Sequence, residues 1–234
     1  MLKRLGEISA QAARSFGDKT ALIVGERRFT FTEIDQLASQ LANGLTANGV
    51  GPGDRVTLYS GNCWEWLVSY YGVAKTGAVV NPINVMLTRE EIGFVANDCS
   101  AKAILASSDK AEALMDIRAS TPLESVIVFG GDAPTGAVSF DELLANAKSR
   151  FAAPAGNNDQ LSTICYTSGT TGHPKGAMLS HTAVIMNAAL TGVMHRRVAE
   201  DTVVSALPCA HVYGNVVMNG CFLIRNDPGF TAAL

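Results

Sequence analysis

The chain has 234 residues, 47% of them apolar and 17% charged, so it can build a substantial core and reads as a soluble globular protein of one large domain or one and a half ordinary ones. Its 18 basic and 21 acidic side chains leave a formal net charge of −3, which supplies no broad basic face and argues against a nucleic-acid partner. The five cysteines, at 63, 99, 165, 209 and 221, are odd in number and scattered, without a metal-type cluster, so they read as reduced core thiols of a cytoplasmic protein. Basic Met1-Leu2-Lys3-Arg4 runs into Gly6-Glu7-Ile8-Ser9, so no signal-peptide core develops. No apolar run reaches the roughly 20 residues of a transmembrane segment.

Ala21–Val24 and Arg28–Phe31 flank a Gly-Glu turn and predict a hairpin. Thr32, with Asp35 three residues on, is expected to cap a helix whose apolar face is Ile34, Leu37, Ala38, Leu41, Ala42 and Leu45, stopped by Gly49. Arg55–Tyr59 reads as a strand, and Cys63–Lys75 as an aromatic-rich helix ending at Gly77. Ala78–Val80 is a short strand, Thr88 caps a helix with Glu91, and the strands Ala103–Leu105 and Val126–Val128 enclose a helix over Lys110–Ile117. Ser139 opens another capped helix. Gly49-x-Gly51-x-Gly53 precedes its strand, the reverse of a dinucleotide fingerprint, and is a loop.

Strands alternating with helices predict an α/β fold, a parallel-rich sheet covered by helices. Turn-rich residues 151–160 are expected to link an α/β unit over 1–150 to a second that starts at 161 and runs to 234.

Tyr166 to Gly176 is the most specific segment. A largely apolar run, Leu161–Cys165, feeds Thr167, Ser168, Gly169, Thr170, Thr171, Gly172, His173, Pro174 and Lys175. Glycines let backbone N–H groups close on an anion, the hydroxyls add short donors, and Lys175 adds a full charge, so the loop suits a polyphosphate. A plain Gly/Ser/Thr turn is the bland alternative. A Walker A loop is excluded, because only two residues separate Gly169 from Gly172 and proline precedes Lys175. Residues 168–174 are expected to form an exposed loop between two strands.

The order from Thr167 to Gly176 resembles the phosphate loop of the adenylate-forming superfamily, which includes acyl-CoA synthetases and adenylation domains. Thr30-Phe31-Thr32-Glu33-Ile34, Gly49–Val56 and Lys75-Thr76-Gly77-Ala78-Val79 occur in that family's order, so the resemblance spans about residues 10–222. It implies the N-terminal portion of the family's large domain. It also implies ATP-dependent activation of a small-molecule carboxylic acid to an acyl-adenylate, then transfer to coenzyme A. Thr167, Ser168, Gly169, Thr170, Thr171, Gly172 and Lys175 would hold ATP phosphates, with Thr167 contacting Mg²⁺ and Lys175 catalytic.

The run Thr202–Leu207 is expected to be a strand leading through Pro208 to His211 and Tyr213. Alone, a histidine beside an aromatic is more often a packing residue. The resemblance implies that His211 is catalytic, beside the carboxylate or ATP, and that Tyr213 shapes the acyl pocket. His173 reads as a solvated loop residue, His181 as a helix-start residue and His195-Arg196-Arg197 as a solvated helix end. Gly220–Ile224 suits a buried helix. The sequence ends 23 residues after His211, before the family's adenine, ribose and C-terminal-lysine motifs. Two readings follow: a ligase represented by an N-terminal fragment, or an inactive piece that at most binds phosphate or a partner protein.

Overall fold

The computed structural model describes residues 2–167 and 174–223. A 3-10 turn at Leu5–Glu7 leads into α1 (Ile8–Phe16), and the hairpin β1 (Thr20–Val24) and β2 (Arg27–Thr30) follows, antiparallel as expected. Gly25 turns it with φ +59°, which favours glycine. Then come α2 (Phe31–Ala47), β3 (Arg55–Tyr59), α3 (Trp64–Thr76), β4 (Val79–Pro82), α4 (Arg89–Asp98) and β5 (Ala101–Ser107). After them lie α5 (Ala111–Arg118), β6 (Ser125–Phe129), β7 (Val138–Ser139) and α6 (Phe140–Ala145), and finally β8 (Leu161–Thr167), β9 (Lys175–Ser180), α7 (His181–Met194) and α8 (Val212–Leu223).

Among the described residues, seven strands form one sheet in the order β7-β6-β5-β3-β4-β8-β9. Every pairing is parallel except β8 with β9, which makes this the helix-covered α/β sheet expected from the alternation. Alternate side chains feed two cores. Val56, Leu58, Val80, Leu105 and Ile127 face α1, α2, α3 and the apolar residues Val184, Ile185 and Phe222 of α7 and α8. Val79, Ile104, Ala106, Val126 and Ile164 face α4 and α5. Gly72 permits the close α2–α3 approach, since a Cβ there would lie 2.8 Å from Leu41 Cδ2.

Two expectations are corrected. The cap of α2 is Thr30, not Thr32: its Oγ1 accepts the Glu33 N–H at 3.1 Å, and Glu33 reaches back to the Thr30 N–H at 2.7 Å. Both threonines precede an acid by three residues, but glutamate is long enough to close the box, and the earlier start buries Phe31 against Phe16 and Phe222. Asp35 instead binds buried Lys75 at 2.7 Å and accepts from Ser9. Residues 202–207 form no strand. A strand needs a ladder partner, and this stretch stands exposed, with Val204 at 91%. Helix α1 and strand β7 were not anticipated. Residues 151–160 carry no helix or strand, and beyond them β8 joins the sheet beside β4. Among the described residues, no helix is long and apolar enough to cross a membrane.

The β4–β8 junction is held by Asn81, wholly buried in mid-sheet. Its Oδ1 accepts from Thr57 Oγ1 at 3.0 Å and its Nδ2 donates to the Ile164 carbonyl at 2.9 Å, tying β3, β4 and β8 together. Asn81→Ala removes both of these bonds from the buried sheet. Urea unfolding is expected to show a loss of about 1–3 kcal/mol, and an unchanged midpoint contradicts this role.

Candidate functional site

The candidate phosphate hairpin is built from β8 and β9, whose last register pairs are Tyr166 with Gly176 and Thr167 with Lys175. A Cβ on Gly176 would fall 2.9 Å from Ile164 Cγ2 and 3.2 Å from the Tyr166 ring, so glycine lets the two strands close beneath that ring. The Tyr166 hydroxyl donates to Asp98 at the end of α4, fixing β8 from its other side. Thr167 and Lys175 thus stand opposite each other, both exposed, with Thr167 Oγ1 3.5 Å from the Lys175 carbonyl. Strand β8 ends and β9 begins at the positions that flank the expected loop. Ser168, Gly169, Thr170, Thr171, Gly172 and His173 lie outside the described residues.

His211 lies in a tight turn at the start of α8. Its N–H donates to the Pro208 carbonyl at 2.9 Å, and Gly214 comes so near that a Cβ there would sit 2.1 Å from the Pro208 oxygen. His211 Nδ1 accepts the Tyr213 N–H at 3.3 Å, capping the helix much as a serine would. That acceptor role assigns the neutral ring proton to Nε2. His211 and Tyr213 are both exposed, so the imidazole offers a donor to an anion.

The two parts share one edge of the sheet. Because β3, β4 and β8 run parallel, Tyr59, Pro82 and Thr167 all end at the carboxyl edge, where open α/β sheets bind ligands. Asn62, just beyond β3, donates to the Leu207 carbonyl at 2.8 Å and accepts the Cys209 N–H at 2.7 Å, bringing the His211 turn to that edge. Behind it lies a buried network between α3 and α8. Tyr70 donates to Asn215 Oδ1 at 3.1 Å, Asn219 donates to Tyr70 at 3.2 Å, and Tyr71 donates to Asn219 Oδ1 at 3.2 Å. Burial pushes the Tyr70 hydroxyl up to about 12, with the Asn219 and Asn215 hydrogen bonds opposing, so it stays a neutral donor. Sequence reading missed these residues; Asn215 and Asn219, four apart in an apolar helix, were the available signal.

His181 does not cap α7. Ser180 does, accepting the Ala183 N–H at 3.2 Å. His181 is 3% exposed, and its Nδ1 accepts the Leu5 N–H at 3.1 Å, stapling the base of the hairpin to the N-terminal 3-10 turn. Burial, reinforced by the Arg4 charge and opposed by Glu7, lowers its pKa to about 4. Burial also raises the thiols of Cys165 and Cys209 to about 11, which leaves little nucleophilic thiolate at neutral pH. Among the described residues no group of three or more His, Cys, Asp or Glu could hold a metal ion.

Comparison with known proteins agrees with this fold. The family pattern "AMP-binding enzyme" matches residues 9–230. The chain is 31% identical over 219 residues to the 3-[(3aS,4S,7aS)-7a-methyl-1,5-dioxo-octahydro-1H-inden-4-yl]propanoyl:CoA ligase of Rhodococcus jostii, covering 87% of this chain and 42% of that protein. It is 37% identical over 158 residues to the long-chain-fatty-acid–CoA ligase FadD13 of Mycobacterium tuberculosis, covering 67% of this chain and 30% of that one. The solved anthranilate CoA ligase AuaEII, in complex with anthranoyl-AMP, superposes with a TM-score of 0.89 at 25% identity, covering 96% of this chain and 45% of that one. The chain spans less than half the length of each of these three proteins.

Two outcomes follow. Gly214→Ala drives a methyl into the Pro208 carbonyl and should cost about 1–3 kcal/mol while displacing His211; a wild-type melting temperature and unshifted His211 resonances would refute the tight-turn account. His181 binds its proton more weakly folded, at about 4, than unfolded, at the ordinary 6.5. Its contribution is therefore complete above 6.5 and lost as pH falls through the window down to about 4. Thermal melts across that window should show a steeper acid loss in wild type than in His181→Gln, and equal slopes count against the staple.

Proposed function

The chain belongs to the AMP-binding enzyme family, and on that premise we propose that it carries the phosphate-gripping and acyl-side part of an ATP-dependent carboxylate–CoA ligase. The observation that carries the reading is the exposed Thr167–Lys175 pair at the mouth of a hairpin fixed by Tyr166, Gly176 and Asn81. Residues 1–150 serve as scaffold, 151–160 as connection, and 161–234 begin the chemistry-bearing unit. A carboxylate oxygen attacks the ATP α-phosphorus, the bond to pyrophosphate breaks, and the thiol of coenzyme A then displaces AMP from the acyl carbon.

Lys175 steadies the β- and γ-phosphates as charge builds on the departing pyrophosphate, together with the hydroxyls and amides from Thr167 to Gly172. His211 presents its Nε2–H to the carboxylate, and Tyr213, beside it in the first turn of α8, borders the acyl group. Magnesium fits here as an ion carried mainly by nucleotide phosphates, which usually needs few protein ligands. Thr167 offers it one oxygen, and the ion would neutralise phosphate charge. Catalysis in this scheme is positioning and electrostatics, without a protein nucleophile.

A second reading is an inactive chain that at most binds phosphate or a partner protein. It is favoured by Met178, Met186, Val193 and Met194, large apolar side chains left 42–79% exposed on β9 and α7. Calorimetry with ATP and AMP, alongside ATP–pyrophosphate exchange, separates the readings. Lys175→Ala should weaken ATP binding about tenfold or more and leave AMP binding little changed. Where both half-reactions run, it should slow adenylation on the order of 10²-fold and thioester formation from preformed adenylate far less. Equal losses in the two contradict the assignment. Retained ATP binding without exchange favours the second reading.

A further inference from the structure

The segment that carries His211 has little structure of its own. From His195 to His211 the chain forms no helix or strand, and Ser205 to Pro208 are exposed. The Tyr213 N–H fixes the ring within its own turn, so something outside that segment must set where the turn sits against the sheet. The side chain of Asn62 supplies it. Its carboxamide offers an acceptor to the Cys209 N–H and a donor to the Leu207 carbonyl, at 2.7 and 2.8 Å, as a neighbouring strand would. The two bonds fix the orientation of the amide, since Leu207 presents only an acceptor and Cys209 only a donor.

Asn62 itself is anchored on both sides. It follows β3 by three residues and immediately precedes Cys63, whose Sγ accepts the Trp66 N–H and caps α3. A rigid point on the carboxyl edge therefore grips the loop two residues before His211. We infer that Asn62 is a positioning residue that holds His211 at this edge, one strand removed from the hairpin end at Thr167. Neighbouring strands lie about 4.8 Å apart, so β3 and β8 are separated by roughly 10 Å, a span that a carboxylate joined to a nucleotide phosphate can bridge. The functional consequence rests on the ligase reading; the clamp does not.

Histidine-labelled whole chain, observed by NMR with amide exchange, tests this. In Asn62→Ala the His211 ring resonances should move and broaden, and the Cys209 amide should exchange about tenfold faster or more. His181 and His195 should stay in place, whereas a merely structural loss would disturb His181 as well. Unchanged His211 resonances and Cys209 exchange overturn the proposal, and so does a shift shared equally by His181. If Asn62→Ala does not fold, Asn62→Asp serves. It keeps the acceptor for Cys209 and loses the donor to Leu207, so His211 should move while Cys209 exchange changes little; a wild-type His211 signal in that variant is equally fatal. ATP with Mg²⁺ added to the wild type separates the two claims. If His211 answers to Asn62→Ala but not to nucleotide, the clamp stands and the ligase reading falls.

Discussion

Asn81 must satisfy a carboxamide from which water is wholly excluded, and it does so by joining three strands. Thr57 on β3 and the Ile164 carbonyl on β8 are its partners, and Asn81 itself lies on β4. An unpaired buried amide is costly, so these bonds favour one placement of β8 over slipped alternatives. That placement decides the rest. Set parallel beside β4, β8 delivers Thr167 to the carboxyl edge; β9 then returns Lys175 opposite it, and α7 follows directly from β9.

The His211 turn reaches the same edge by another route. Asn62 holds the loop before α8, and Tyr70 and Tyr71 hold α8 itself through Asn215 and Asn219. Helix α3 supplies both tyrosines and begins one residue after Asn62's capping neighbour. One helix thus registers the His211 turn against the sheet. His181 secures the remaining side, tying the start of α7 to Leu5. All of these contacts join residues far apart in sequence, with Tyr70 and Asn215 separated by 145 positions.

That separation explains what could be read from the sequence. The Gly25 turn, β3, the Thr88–Glu91 capping box, the Ser139 cap and the Gly77 stop are local, encoded within a few residues, and the chain forms them as expected. The hairpin that flanks the phosphate loop was legible for the same reason. Thr30 and Thr32 both satisfied the capping pattern, and only the burial of Phe31 and the reach of Glu33 decided between them. Thr202–Leu207 had the composition of a strand but pairs with no neighbour among the described residues. Asn62, Tyr70 and His181 carry no local signature at all, since their meaning lies in partners from the other end of the chain.

One edge of the sheet gathers both the candidate phosphate hairpin and the His211 turn. Paramagnetic Mn²⁺–ATP, added to the labelled chain, tests it directly, because relaxation of nearby nuclei falls steeply with distance. Broadening is expected at Thr167, Lys175, Gly176, Asn62 and His211, with Arg55, Ala101 and Ser125 at the amino ends of their strands left sharp. Broadening centred on those amino ends, or at the hairpin with His211 untouched, would contradict it.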